Sequence, residues 1–298
     1  MKSPVCIAAA VGLALPLALS GCALFPTTRH LPVPKAPPGL VRVVSPEDLV
    51  KQLDDRWETL QSLSVKVQIK ASIEKTAQGV TVDEPAIPAI ILMRKPEFLT
   101  VYGEVPVLQM EMFEMVSDGK DFTLYIKPKG EAFEGTNSAK GTSKNPWENL
   151  RPPFFFNAMV VRGVNPGNHY FVTSDTVTME DPTKKHLYSV PEYILNINRV
   201  DPGSQKETAV RVITFHRSDM LPYAQDIYDS EGNLETHVTY GAYQNFEGVQ
   251  FPSTISIRNP IAGIELALTV ENVHENLKLN DDQFKVQLPN GIKIEHLQ

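Results

Sequence analysis

The sequence predicts a mainly β (α+β) fold built on a single curved antiparallel sheet, and three observations carry that prediction. About a dozen short runs alternate apolar and polar residues with a period of two, separated by Gly, Pro or Asp punctuation. One segment, following Ser45, places its apolar residues at clear helical spacing. No second linker interrupts the chain from residue 45 to residue 298, a length large for one flat sheet and within range for a barrel. Composition agrees with a packed core: 42% of the 298 residues are hydrophobic and 21% charged, which excludes disorder, collagen-like repeats and a polytopic membrane protein.

The first 21 residues hold one charge, Lys2, and residues 5–19 are almost wholly apolar. That is the length of a signal-peptide core and too short to span a bilayer comfortably. It ends in Leu19-Ser20-Gly21-Cys22, which resembles the bacterial lipobox, where cleavage precedes the cysteine and its sulfur receives a diacylglycerol. The alternative is an ordinary signal peptide with a chance cysteine. The lipobox reading makes residues 1–21 a signal peptide and Cys22 a covalent acyl-lipid (palmitate-type) membrane anchor. It removes Cys6, so no free thiol survives in the mature chain. Ala23 follows the cysteine where an Asp favours inner-membrane retention in proteobacterial lipoproteins, so the resemblance points to the outer membrane.

Residues 22–44 carry Pro26, Pro32, Pro34, Pro37 and Pro38 and read as a semi-rigid tether. The folded domain then spans 45–298. Ser45-Pro46-Glu47-Asp48 supplies an N-cap, a proline at the first helical position and acids in the first turn, followed by Leu49, Leu53, Trp57 and Leu60 on one face. Strands follow at residues 65–73, 90–94, 98–102, 110–116 and 122–126, where the alternation is read off directly. A polar stretch from Thr136 precedes Pro152-Pro153-Phe154-Phe155-Phe156, a short apolar helix or turn. Three consecutive Phe cannot share one helical face, so some face a pocket, a membrane or a second layer, or the element is buried on both sides. Further strands are expected at 170–179, 187–189, 193–200, 209–216, 223–228, 234–240, 254–258 and 265–270. Asp229-Ser230-Glu231-Gly232-Asn233 joins two of them as a hairpin turn; its acids lack calcium-loop spacing.

Chemistry is marked by what is missing. The net charge of −7 argues against phosphate-neutralising nucleic-acid binding. No CxxC pair, HExxH, GxSxG, Walker loop or GxGxxG occurs, and the seven histidines are scattered singly, so neither metal nor catalytic residues are assigned and no cofactor is expected. His216 and Asp219 lie close in sequence and read as a surface pair rather than a dyad. A carboxylate pair assembled from distant strands would leave no such signature.

The order of the pieces is informative. It runs from the amphipathic helix with Trp57 and an alternating strand through Arg211-Val212-Ile213-Thr214-Phe215, Leu221-Pro222-Tyr223, Ile227-Tyr228-Asp229 and Val238-Thr239-Tyr240. Glu247-Gly248-Val249, Phe251-Pro252 and Asp281-Asp282-Gln283-Phe284 complete it. Over residues 45–115 and 190–290 this resembles the LolA/LolB-like superfamily of periplasmic lipoprotein carriers and receptors, in its branch of uncharacterised bacterial lipoproteins.

The resemblance implies an incomplete β-barrel, closed by the N-terminal amphipathic helix and a short helical lid around an apolar cavity for acyl chains. A sheet of about a dozen strands that curls must indeed flatten, split or hold a ligand. Trp57, Leu99, Met110, Met112, Phe122, Phe154, Phe155 and Phe156 are the expected lining or lid. Met110, Met112 and Met115 serve either as an adaptable lining or as core filler. Arg94 is a candidate for the carriers' cavity arginine. The expected protein is an outer-membrane-anchored periplasmic lipoprotein that binds lipid or an acylated lipoprotein without catalysis. The alternative is an envelope interaction or sensing protein that binds a protein partner through the same barrel, as RseB-type relatives suggest.

Overall fold

The structure, a computed structural model, describes residues 34–35, 40–75, 80–105, 110–138, 149–180 and 186–297. The signal peptide, Cys22, most of the tether and much of the polar stretch after Thr136 lie outside the described residues. Helix α1 (Pro46–Thr59) starts as the sequence dictates: the Ser45 hydroxyl accepts the Asp48 N–H at 3.1 Å, a cap of about 1 kcal/mol. Its buried stripe is Leu49, Val50 and Leu53.

The strands are β1 (Ser62–Lys75), β2 (Val80–Asp83), β3 (Ile87–Arg94), β4 (Phe98–Val105), β5 (Met110–Ser117), β6 (Asp121–Ile126) and β7 (Glu131–Thr136). After helix α2 (Pro152–Met159) come β8 (Asn168–Glu180), β9 (Leu187–Val200), β10 (Glu207–His216), β11 (Pro222–Tyr228) and β12 (Leu234–Tyr240). A small separate hairpin, β13 (Tyr243–Phe246) with β14 (Val249–Pro252), precedes β15 (Thr254–Asn259), β16 (Ile264–Glu275) and β17 (Lys293–His296).

One sheet runs in the order β17-β7-β6-β5-β4-β3-β1-β16-β15-β12-β11-β10-β9-β8, with β2 beside β1. It is antiparallel except where β17 joins β7. The sheet curves without closing, since its outer strands β17 and β8 do not pair. Its midline is the long β1–β16 ladder from Leu63↔Glu275 to Ile73↔Ile264, which joins the start of the domain to its end.

Two helices fill the concave side. α1 packs on Tyr193, Leu195, Ile197, Ile213, Phe215 and Met220 of the β9–β10 half. α2 packs within the other cluster, against strands including β1, β3 and β16. On the convex side the C-terminal chain crosses the sheet through a 3-10 turn at Asp281–Phe284. There Arg94 lies 4.5 Å from the Phe98 ring and 4.8 Å from the Phe284 ring, and pairs with Asp281 at 2.7 Å.

The structure adds to the expected elements. The runs at 187–189 and 193–200 are one strand that passes through Pro191. Arg217 N–H donates to Pro191 O at 3.1 Å, but the return bond of an antiparallel pair needs the N–H that proline lacks. Arg42 N–H takes its place on Arg217 O at 2.8 Å, and beyond it Lys35 bonds Leu187 and Ser189. The tether thus continues the ladder where Pro191 ends it. Strands β2, β7, β13, β14 and β17 were not expected; they are short and lack a long alternating run.

Candidate binding cavity

Between α2 and the concave face of β1, β3, β5, β6 and β16 lies a cavity of about 610 Å³. The size is in the usual range for small-molecule sites. The sheet lines it with Ile69 and Ala71 of β1, Ile87 of β3, Phe113 and Met115 of β5, Leu124 and Ile126 of β6, and Leu266 of β16. Leu150 and Phe155 close it from the α2 side. Glu84, Pro85, Met112 and Lys129 also contribute, and Glu84 and Lys129 are the only ionisable residues along its lining among those described.

Local sequence explains the space. α2 has eight residues and cannot cover the whole curved face. Gly103 of β4 clears room beside it: a Cβ there would stand 2.7 Å from the Phe113 ring and 3.0 Å from Ile87. Any larger residue pushes the Phe113 ring out of its seat.

α2 itself is buried all round, which is why its three phenylalanines need no shared face. Phe155, 2% exposed, faces the cavity; Phe156 meets Trp57 edge-on at 6.4 Å; Phe154 packs edge-on against Phe155. The helix's last carbonyls would be orphaned there. Tyr240 Oη donates to Ala158 O at 2.9 Å, and Gln225 Nε2 donates to Asn157 O at 2.7 Å and to Tyr240 Oη. Burial pushes the Tyr240 phenol well above its ordinary value, so it stays a neutral donor.

Of the residues singled out in the sequence, Met112, Met115 and Phe155 line this cavity. Leu99 is fully enclosed in packed core at 0% exposure. Phe122 is buried in the same core and also borders a mixed polar space of about 580 Å³ under the C-terminal chain, with Asp121, Glu134 and His296. Phe154 borders a third, more polar space of about 560 Å³ beside Arg151, Asn157 and Glu235. Trp57 lies with Phe156 in a small recess, its ring under Lys95 and Arg162. The Met110 side chain lies outside the described residues. Arg94 faces away from the cavity, locked on the convex side as described.

Sequence reading missed Phe113, Ile126 and Arg211. Arg211 is buried on the inward face of β10, its Nη1 3.5 Å from Arg162 O; burial first, then the Arg162 charge, brings its pKa down to about 10. The signal was present, because Arg211 shares the parity of inward Ile213 and Phe215. His216 stacks on Tyr223 at 4.0 Å, while the Asp219 carboxylate accepts the Leu221 N–H. Asp229 accepts the N–H groups of Glu231 and Asn233, which is turn chemistry. Among the described residues no His, Cys, Asp and Glu cluster fits a metal ion, and no helix is long and apolar enough to cross a membrane.

No family model and no curated protein matches the chain. Among solved structures it is similar to a LolA superfamily protein from Nitrosomonas europaea, at 14% identity, covering 82% of this chain and 99% of that one with a TM-score of 0.48. It is also similar to a DUF1329 family protein from Desulfovibrio piger, at 13% identity, 80% and 95% coverage and a TM-score of 0.49. A domain assigned to outer membrane lipoprotein sorting from Vibrio parahaemolyticus is similar at 11% identity, 80% and 94% coverage and a TM-score of 0.41.

Proposed function

We propose that the protein is a lipoprotein of the bacterial envelope, anchored in the outer membrane through acylated Cys22 and facing the periplasm. It binds a lipid, or the acyl chains of another lipoprotein, in its cavity and releases it unconverted. The observation that carries this reading is the apolar cavity of about 610 Å³ between sheet and α2, whose charged groups among the described residues are Glu84 and Lys129. Each methylene moved there from water contributes about 0.8 kcal/mol, so an acyl chain gains affinity along its length without any polar recognition.

The test is lipid extraction and mass spectrometry of the chain purified from an envelope fraction. Extractable acyl lipid near one equivalent is expected, and Met112→Glu with Ile126→Glu should remove it while leaving cooperative unfolding intact. The covalent acyl group is read separately, as the mass of the N-terminal peptide beginning at Cys22. A chain that carries no extractable lipid and takes up no fluorescent fatty acid would sink the cavity reading. It would favour the protein-partner alternative, which one observation supports: β8, 13 residues long, ends the sheet with an outer edge that no described strand pairs.

A further inference from the structure

The tether leaves the body at one rim of the sheet and the cavity lies toward the other. Strand ends carry the first rim around the sheet: β10 ends and β11 begins there, β12 ends and β15 begins, β16 ends and β1 begins, and β3 ends and β4 begins. Lys35 and Arg42 are pinned at this rim, against Leu187, Ser189 and Arg217. Toward the opposite strand ends Ile87 opens β3 and Phe113 of β5 pairs with Ile126 at the end of β6, and all three line the cavity. Pro85 and Lys129, exposed residues of the connections at that rim, line the cavity where it reaches solvent, and this is its mouth.

The tether rim has the surface of a lipid-facing element. Leu40 is 89% and Val43 79% exposed, and Met179 at the end of β8 is also exposed. Lys35, Arg42 and Arg217 form no ion pair among the described residues; Arg42 and Arg217 donate to backbone carbonyls, and the Arg217 guanidinium lies 4.6 Å from the centre of the Tyr193 ring. Exposed apolar side chains beside cations that no carboxylate neutralises among the described residues suit the boundary between headgroups and acyl chains.

We propose that this rim, through Leu40, Val43, Met179, Arg42 and Arg217, rests on an anionic phospholipid bilayer, with the cavity mouth turned away from it. The proposal rests on Cys22 being the anchor. From Cys22 to Pro34 the chain reaches at most about 40 Å, at ~3.5 Å per residue, which keeps the rim where it leaves the body near the membrane. Cargo is then exchanged with an acceptor arriving from the aqueous side.

The experiment uses the full chain, processed and acylated in a bacterial host, in vesicles of phosphatidylethanolamine and phosphatidylglycerol that carry a headgroup quencher. With Cys22 acylated and Cys6 removed, a reporter fluorophore goes onto one new thiol, at Met179→Cys or at exposed Ala86→Cys beside the mouth. Several-fold stronger quenching at 179 than at 86 is expected, and Leu40→Glu with Val43→Glu should at least halve that difference. Equal quenching, stronger quenching at 86, or indifference to the double substitution overturns the orientation while leaving the anchor and the cavity in place. A chain that fails to float with the vesicles overturns the anchor itself, and the orientation with it.

Discussion

Single side chains set the behaviour of the concave face. Among the described residues Tyr240 alone donates to Ala158 O, so Tyr240→Phe leaves a buried carbonyl unpaired. A loss of about 1–3 kcal/mol is expected, read as a lower denaturant midpoint with an unchanged slope. Gly103→Val drives the Phe113 ring from its seat into the cavity. Uptake of a fluorescent fatty acid should fall several-fold while the overpacking costs about 1–3 kcal/mol, and uptake equal to that of the parent protein would refute the assignment of this space. His216 is half-buried, stacked on Tyr223. Burial holds its pKa below the ordinary 6.5, against the smaller opposing pull of Asp219 and Glu192. The folded state therefore binds fewer protons than the unfolded one, and stability falls as pH drops below about 6.5, levelling off under the folded pKa. His216→Gln should flatten that slope in thermal melts between pH 7.5 and 5.

At the scale of elements, sequence legibility tracks length and period. α1 begins where Ser45 and Pro46 place it because cap and first-turn chemistry are local. Long alternating runs such as β1, β9 and β10 are readable because each residue's parity names its face, Arg211 included. β17 was unreadable: its four residues are all exposed and its partner β7 lies far away in the chain, so nothing in its own pattern marks it as a strand. It covers the β7 edge, and an uncovered edge invites pairing with another chain. Ending the chain at Asn290 should leave the monomer folded yet prone to self-association, seen as concentration-dependent growth in sedimentation velocity. A truncated chain that stays monomeric at high concentration would show that β7 needs no cover.

Across the whole molecule, the sheet is wide enough to curl and its two ends do not pair, so helices fill part of what closure would have excluded and a cavity remains. α1 occupies the β9–β10 half fully; α2 occupies the other half in part, and the cavity is the remainder. The site was legible in kind but only partly in detail. Met112, Met115 and Phe155 line the space, whereas Phe113 and Ile126, which the sequence marks no differently from ordinary core residues, do so as well. Leu99 looks the same in the sequence and sits where the packing is complete.

By itself the sequence determined the β-rich class, the capped helix, the inward and outward faces of the long strands, and an N-terminus that reads as an address. These depend on neighbours within a few residues, through backbone dihedral preference, capping bonds and the two periodicities. Only the tertiary structure decided that β1 lies against β16, that all three phenylalanines of α2 are buried, that the tether replaces β10 beyond Pro191, and where unfilled volume remains. Those outcomes come from pairings between residues far apart in the chain, whose register and packing are set by the summed fit of the whole sheet rather than by any local pattern.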